Sequence, residues 1–241
     1  MIGLGTIINT AAIIAAGLLW RLFSRLFSSA AQDALSKACG VSVLFIGAAG
    51  TLEGMLHIQD GHIASSRAMF LTLCLALGTA AGEWMDIEGA FVRLGEWLKR
   101  KTGNARDAGF VHAFVTATLT VCIGAMAIVG ALQDGLRGDW SVLALKAVLD
   151  FVIIAVMTAS LGKGATFSAL PVLVFQGSIT TLARLAAPIF SPAVLDNISL
   201  IGSALIFCIG LNLLRREKLR VANMLPALLL AAAAQALPWT L

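Results

Sequence analysis

Long apolar stretches recur along this whole chain, and they constrain its fold more than any other feature. Most contain about 18 residues or more, which at a rise of about 1.5 Å per helical residue is enough to cross a hydrocarbon layer about 30 Å thick. The chain is 59% hydrophobic and only 12% charged. The surface of a soluble domain is richer in charge than that. The sequence therefore predicts an all-α integral membrane protein, formed as a single domain over residues 1–241.

The breaks between the apolar stretches predict a bundle of about eight transmembrane helices. The predicted helices lie near 2–23, 36–56, 66–84, 108–132, 140–161, 165–189, 194–214 and 220–240. Pro171, Gly177 and Pro188 interrupt the sixth of them, so this segment is expected to be broken or re-entrant. The N-terminal stretch lacks the pattern of a cleaved signal peptide and is expected to remain as the first helix.

Basic residues predict how the helices are oriented. Of the 17 Lys and Arg residues, all but Arg67, Arg137, Lys146 and Arg184 fall in or beside alternate connections. Basic connections stay on the cytoplasmic side, so both termini are expected outside the cytoplasm. Because the basic residues follow short connections rather than one surface, membrane lipid is the expected partner and nucleic acid is not.

The longest of these basic connections contains an amphipathic segment at 87–101. Ile87, Phe91, Leu94 and Leu98 line one helical face, and charged residues occupy the rest. This pattern predicts an interfacial helix, lying on the membrane rather than crossing it. It serves either as a surface connector or as a gate or docking helix, and the sequence does not separate these roles.

The strongest chemical signal is Lys146 with Asp150, four residues apart on one face of the fifth predicted helix. If that helix enters the membrane near Trp140, Asp150 lies about 15 Å deep, near the bilayer midplane. An unpaired charge costs about 2.5–3.5 kcal/mol there on insertion scales. Asp150 is thus either a titrating or cation-coordinating group with Lys146 as a competing counter-charge, or one half of a structural ion pair.

Two polar stripes and one further carboxylate complete the set of candidate pathway residues. The stripes are Thr6, Asn9 and Thr10 in the first helix and Gln176, Ser178, Thr180 and Thr181 in the sixth. They either line a pore for an ion or solute, or bond to their own helix and to neighbouring helices. Glu83, near the inner end of the third helix, lies either on the pathway or at the membrane interface.

Weak internal similarity suggests an inverted repeat with halves 1–84 and 165–241, separated by the fourth and fifth helices at 108–161. The segment that begins at Gly5 resembles the one that begins at Gly177, and the stretch 40–47 resembles 202–210. Because five helices separate the copies, they would cross the membrane in opposite directions. Many secondary transporters build a midplane site from such halves.

Several motifs together resemble the bacterial YqgA/YdfK family of inner-membrane proteins, the domain of unknown function 554. They are GTIINTAAIIAAGLL near the start, GEWMDIE and LGEWLK within 82–99, CIGAMAIVGALQDGLRGD at 122–139, KAVLDFVIIAVMTASLGKG at 146–164, FQGSIT at 175–180 and IGLNLL at 209–214. The resemblance covers essentially the whole chain. It implies a multi-spanning bacterial membrane protein, with ion transport suggested for the family but no substrate named.

These observations predict a small secondary transporter or channel for a small ion, cationic or proton-coupled, or for a small solute. The alternative is a non-transporting scaffold or regulator that acts through its basic cytoplasmic connections. No nucleotide-binding loop, hydrolase motif or metal-ligand spacing occurs, so neither an enzyme, a cofactor nor a metal site is expected. Gly78 and Gly82, four residues apart, predict close helix packing and a homodimer.

Overall fold

The computed structural model describes residues 2–23, 28–59, 61–122, 125–186, 190–215 and 219–234, and these form a helical bundle. Its helices are α1 (Leu4–Phe23), α2 (Ser29–Met55), α3 (Ala68–Met85), α4 (Ile87–Lys101), α5 (Phe110–Cys122), α6 (Ala125–Arg137), α7 (Ser141–Leu161), α8 (Ala169–Thr181), α9 (Ala183–Ala186), α10 (Pro192–Leu214) and α11 (Pro226–Ala233). Short 3-10 helices at Lys163–Ser168 and Val221–Met224 lead into α8 and α11. The predicted all-α membrane bundle is confirmed.

Local signals in the sequence explain where several helices begin and end. The side chain of Ser28 accepts a hydrogen bond from the backbone N–H of Ala31 and caps α2. Ser191 caps α10 in the same way, and Pro192 follows at the first helical position, where its missing N–H costs nothing. Gly162 ends α7 with a φ of 103°, a backbone conformation that side-chain-bearing residues rarely adopt.

The number of full membrane spans is lower in the described residues than the predicted eight. Three helices, α3, α7 and α10, are long and apolar enough to cross a membrane unaided. A fourth span is possible if α5 and α6, which meet at a bend of 62°, count as one crossing. The remaining apolar helices are shorter: Leu4–Leu19, Gly40–Met55 and Val221–Ala233. The count of eight is thus an approximate description of a bundle that contains broken helices.

Three segments differ from the predicted helices. The fourth predicted helix is divided into α5 and α6, and the sixth into the 3-10 helix at Lys163–Ser168, α8 and α9. The sixth is broken as expected, but α8 passes through Pro171 and Gly177, whereas Pro188 lies outside the described residues. A two-stranded antiparallel hairpin, β1 (Leu56–Gln59) with β2 (His62–Ser65), follows α2, where no strand was predicted.

Several helix pairs of the bundle are held close by small residues. A Cβ at Gly47 of α2 would collide with the backbone of Phe207 in α10, so the two helices can approach closely only because residue 47 is glycine. α1 lies against α7 and α8, and α3 against α11. The main apolar cluster, which includes Ile13, Ile154 and Met157, fills the space between α1, α5, α7 and α10.

The two glycines of α3 pack within the chain. A Cβ at Gly78 would meet Ala227 of α11, and one at Gly82 would meet the backbone of Asn223. The close packing predicted from their spacing is therefore used to hold α3 on the α11 segment. The homodimer stays a prediction, and these two glycines are not available to support it.

Candidate functional site

The centre of the candidate site is the ion pair between Lys146 and Asp150 in α7. Lys146 Nζ lies 2.8 Å from each carboxylate oxygen of Asp150. Only 7% of Lys146 and 3% of Asp150 are exposed. Asp150 is at the middle of α7. The structure thus places a full ion pair in the interior of a segment long enough to cross the membrane.

Two amide side chains extend this pair into the neighbouring helices. Asn9 of α1 donates from Nδ2 to Asp150 Oδ2 at 3.0 Å and to Gln176 Oε1 of α8 at 3.2 Å. Both amides are fully buried. One residue of each predicted polar stripe, Asn9 and Gln176, therefore joins Asp150 at one junction of α1, α7 and α8, which is named the polar junction below.

The polar junction contains hydrogen-bonding capacity that the described protein atoms do not use. Asn9 Oδ1 and Gln176 Nε2 are buried and have no hydrogen-bond partner among the described residues. An unsatisfied buried polar group costs about 1–3 kcal/mol, so such atoms normally contact water or a ligand. The acceptor Asn9 Oδ1 and the donor Gln176 Nε2, close to a buried carboxylate, can therefore bind a small polar ligand or a water molecule.

The remaining stripe residues divide into two groups. Thr6 and Thr180 share a hydrogen bond of 3.3 Å across α1 and α8, one helical turn from Asn9 and Gln176, and extend the polar junction. Thr10, Ser178 and Thr181 instead donate to carbonyl oxygens of their own helices. Ser178 and Thr181 are also exposed on the outer face of α8, where they do not contact the junction.

A second buried carboxylate lies beyond the threonines and was not predicted as a site residue. Asp134 of α6 is wholly buried, and its two oxygens accept hydrogen bonds from the backbone N–H groups of Gly3, at 3.1 Å, and Gly5, at 3.0 Å. It thus satisfies free N–H groups at the start of α1. An aspartate within an otherwise apolar stretch was the available signal, but its partners are distant in sequence.

A cavity of about 500 Å³ reaches the ion pair from one side of the bundle. Its lining is mostly apolar, with polar groups that include Glu53, Lys146, Asp150, Ser199 and Ser203. Glu53, at the end of α2, is exposed. Asn9 and Gln176 are not part of the lining, so the ion pair separates the cavity from the rest of the polar junction. We call this space the Glu53 cavity.

Comparison with known proteins identifies the family. Residues 4–236 match the family described as "Protein of unknown function (DUF554)". The chain belongs to the DUF554 family. It is similar to the uncharacterized membrane protein YdfK of Bacillus subtilis, with 27% identity over 226 residues, which cover 94% of this chain and 93% of YdfK. It is also similar to the uncharacterized protein YqgA of Escherichia coli, with 26% identity over 241 residues, which cover 98% of this chain and 97% of YqgA.

No solved structure significantly resembles this DUF554 chain. The family resemblance stated from the sequence motifs is confirmed, and so is the membrane class. Within the described residues, no group of three or more His, Cys, Asp or Glu side chains could hold a metal ion.

The structure places Glu83 far along the bundle from Asp150, in an ion-pair cluster where α3 meets α4. Arg220 bridges Glu83 at 2.5 Å and Asp86 at 2.9 Å, and Arg93 contacts Asp86 at 3.2 Å. A hydrogen bond from Arg93, assisted by the backbone of Gly89 and the charge of Arg220, holds the pKa of Asp86 below its usual range. Glu83, Asp86 and Arg220 are about half exposed, and Arg93 is 68% exposed. Glu83 therefore pairs with Arg220 in a partly exposed cluster, and a role for it on the pathway stays a prediction.

A second cavity, of about 240 Å³, lies near the other end of α10. It is bordered by α4, α5 and α10, with Glu88, His112, Thr116 and Asn212 among its lining residues. Glu88 is partly buried, and this desolvation raises the pKa of its carboxyl group although the nearby Arg220 opposes the shift. We call this space the Glu88 cavity. Sequence reasoning did not predict it, because its walls come from segments far apart in the chain.

Proposed function

We propose that this protein is a small secondary transporter or channel that moves a small ion or solute across the bacterial inner membrane. Its pathway includes the Lys146–Asp150 pair, and both chain termini lie outside the cytoplasm. The observation that carries the proposal is a buried charge pair, at the middle of a transmembrane helix, that also forms part of a cavity wall. Ionisable groups inside a membrane generally mark transport pathways, because their insertion is costly.

The contacts of Asp150 suggest how a cation would be handled. Lys146 already neutralises the carboxylate, so an arriving cation has to compete with a tethered ammonium group for the same two oxygens. Glu53 would attract that cation into the cavity, and Asn9, which donates to Asp150, would hold the carboxylate in place during the exchange. Displacement of Lys146 and its return provide a cycle of binding and release.

Reciprocal contacts between α2 and α10 support the inverted repeat. A Cβ at Gly47 would meet the backbone of Phe207, and one at Gly210 would meet the backbone of Leu44. Gly210 lies 163 positions after Gly47, and Phe207 lies 163 positions after Leu44. Adding 163 to the α2 residue of one contact therefore gives the α10 residue of the other contact. Such an exchange is what a two-fold axis in the membrane plane produces.

A second pair of contacts follows the same offset. Gly40 lies against Leu213, and Gly50 lies against Ser203. Ser203 lies 163 positions after Gly40, and Leu213 lies 163 positions after Gly50. The other helices of the predicted halves also pair with their counterparts, since α1 contacts α8 and α3 contacts α11. The polar junction formed by α1 and α8 therefore occupies the interface between the halves, where inverted-repeat transporters bind their substrates.

The test is flux into liposomes that contain the purified full chain, under an imposed proton, sodium or potassium gradient. We expect Asp150→Asn to reduce gradient-driven flux by about tenfold or more, because the amide keeps the shape of the carboxylate but removes its charge. Asp139→Asn, which changes an exposed carboxylate between α6 and α7, is the matched control and should leave flux unchanged. Equal flux in wild type and Asp150→Asn would contradict the proposal.

One observation favours a second candidate function, a scaffold or regulator. The amphipathic helix α4 ends in Lys99, Arg100 and Lys101, and Trp97 is 47% exposed beside them. Such a surface can bind anionic lipid or an acidic partner. If this is the function, the cellular role should survive Asp150→Asn and fail when Arg93, Lys99, Arg100 and Lys101 are neutralised, which is the opposite of the result expected for transport.

A further inference from the structure

The two cavities approach each other across a thin apolar wall. Leu119 of α5 lines the Glu88 cavity, and its neighbour Thr120 lines the Glu53 cavity. On α10, Ile209 lines the first of these and Ile206 the second. Leu119 is 5% exposed and Ile209 is 2% exposed, and both belong to the main apolar cluster. A single layer of apolar side chains from α5 and α10 therefore separates the two spaces.

Helix α10 contributes to the walls of both cavities. Ser199, Ser203 and Ile206 face the Glu53 cavity, and Ile209 and Asn212 face the Glu88 cavity. The 13 positions from 199 to 212 span about 20 Å of helix, which is most of a hydrocarbon layer about 30 Å thick. The boundary between Ile206 and Ile209 corresponds to only about 4.5 Å along the helix axis. The cavities thus enter the bundle from opposite ends and stop one helical turn apart.

The repeat offset also connects part of one cavity wall with part of the other. Ile46 and Ala49 of α2 line the Glu53 cavity. The residues 163 positions later are Ile209 and Asn212 of α10, and both line the Glu88 cavity. The same offset relates Val43 to Ile206, which both line the Glu53 cavity. The offset therefore relates two residues of the α2 wall of one cavity to the α10 wall of the other, as expected of a pathway built from inverted halves.

We infer that the Glu53 cavity and the Glu88 cavity are the two vestibules of one pathway for a small cation, closed between them by an apolar gate formed by Leu119 and Ile209. This inference rests on the proposed transport function and adds the second vestibule, the gate and the charge of the substrate. Each vestibule has a carboxylate near its mouth, Glu53 in one and Glu88 in the other.

The chemistry of the wall explains why it closes the pathway. A small cation that enters either vestibule keeps part of its water, and the carboxylate there replaces some of the rest. Between Leu119 and Ile209 it finds neither water nor oxygen ligands, and removing its hydration there is very costly. Transport then requires α5 and α10 to separate at this layer, which lies close to the Lys146–Asp150 pair.

The first test is cysteine accessibility in the full chain with its four native cysteines replaced by alanine. Ser199→Cys reports on the Glu53 cavity and Thr116→Cys on the Glu88 cavity. With a membrane-impermeant maleimide and sealed vesicles of both orientations, we expect Ser199→Cys to react from one membrane face only and Thr116→Cys from the other face only. Reaction of both cysteines from the same face, or of neither from any face, overturns the inference.

The second test opens the gate. Added to Ser199→Cys, either Leu119→Ala or Ile209→Ala should increase labelling from the opposite face by about tenfold or more, because removing one apolar side chain lowers the barrier. Ile209→Val provides a milder variant and should give a smaller increase. Leu205→Ala is the matched control, because Leu205 is fully buried in α10 but lines neither cavity. Labelling that stays one-sided in both alanine variants, or that rises equally in Leu205→Ala, contradicts the gate.

These experiments separate the inference from the function on which it rests. The labelling pattern is measured without a gradient, and sodium or potassium flux is measured on the same vesicles. If Ser199→Cys reacts from one membrane face and Thr116→Cys from the other, but no flux is measured, transport by this protein is disproved. The assignment of the cavities as vestibules then fails with it. If flux depends on Asp150 but both cysteines react from the same membrane face, the transport function is kept and the pathway through Leu119 and Ile209 is overturned.

Discussion

Two ion pairs in this protein have the same chemistry and different surroundings. Asp33 and Lys37, at the start of α2, are separated by 2.7 Å, and Lys146 and Asp150 in α7 by 2.8 Å. Both pairs join residues four positions apart on one helix. The side chains of the α2 pair are 65% and 62% exposed, whereas those of the α7 pair are 9% and 4% exposed.

The comparison shows that burial, rather than geometry, gives a charge pair its importance. Water solvates Asp33 and Lys37 whether or not they meet, so their pairing contributes little. Asp150 has lost that solvation and depends on Lys146 and Asn9. An exposed pair can therefore be removed at little cost, while the buried one constrains both stability and function. The predictions below test this difference from the largest expected effect to the smallest.

The largest effect is expected for Lys146→Met. This change leaves Asp150 buried without its counter-charge, and breaking a buried pair in this way costs about 3–5 kcal/mol. Lys37→Met is the matched control and should cost less than about 0.5 kcal/mol, as expected for an exposed helix pair. Thermal or denaturant unfolding of the detergent-purified protein measures both. A cost for Lys146→Met similar to that for Lys37→Met would invalidate the comparison.

The double variant Lys146→Met with Asp150→Leu sharpens the same comparison. Replacing both buried charges by apolar side chains should restore most of the lost stability, because the desolvation cost disappears along with the attraction. Gradient-driven flux should stay absent in this variant. A stable double variant that still transports would show that the pair is structural.

Asp134 is expected to give the second largest effect. Asp134→Ala removes the acceptor for the N–H groups of Gly3 and Gly5 and leaves the start of α1 without its partner. The expected cost is about 2 kcal/mol, within the range for buried hydrogen bonds and helix caps. Asp139→Ala, which removes an exposed carboxylate that accepts from the N–H of Ser141, should lower the unfolding temperature by less. The same unfolding measurement compares the two variants, and equal losses would contradict the prediction.

Arg220→Ala is expected to have a smaller effect. Arg220 bridges Glu83 and Asp86, but all three side chains are between 43% and 49% exposed. The expected loss is at most about 1 kcal/mol, and it should shrink further in high salt because exposed charges are screened. Unfolding temperatures of wild type and Arg220→Ala at low and high ionic strength measure this. A loss that is independent of salt would indicate that this cluster behaves like the buried pair.

The smallest effect concerns the pH dependence of Asp86. Its pKa is lowered in the folded chain from an ordinary value of 3.8, chiefly by the hydrogen bond from Arg93. The ionised carboxylate therefore contributes stability above about pH 3.8, and this contribution is lost as the pH falls through the folded pKa. The difference in unfolding temperature between wild type and Asp86→Asn should thus narrow from about pH 5 to about pH 3. A difference that stays constant over this range would show that the carboxylate charge of Asp86 makes no contribution.

Part of the candidate site could be predicted from helical periodicity and from the free-energy cost of placing polar groups in a membrane. Lys146 and Asp150 were predicted because charged residues are rare in an apolar helix, where their insertion is costly. Asn9 and Gln176 were predicted because they are polar residues within apolar stretches. The sequence could not show that Asn9 donates to both Asp150 and Gln176, because these contacts join residues more than 140 positions apart. Asp134 was missed for the same reason, since its partners are the backbone N–H groups of Gly3 and Gly5, about 130 positions earlier in the chain.

The sequence by itself determined the membrane class, the all-α fold, the amphipathic helix α4 and the charge pair within α7. Each of these follows from interactions between residues a few positions apart, or from the hydrophobicity of one segment, which the chain carries in any conformation. Only the tertiary structure decided which polar residues meet, where the helices break and which cavities reach Asp150. Those outcomes depend on how the helices pack against one another, and packing is settled by the shapes of side chains distant in sequence.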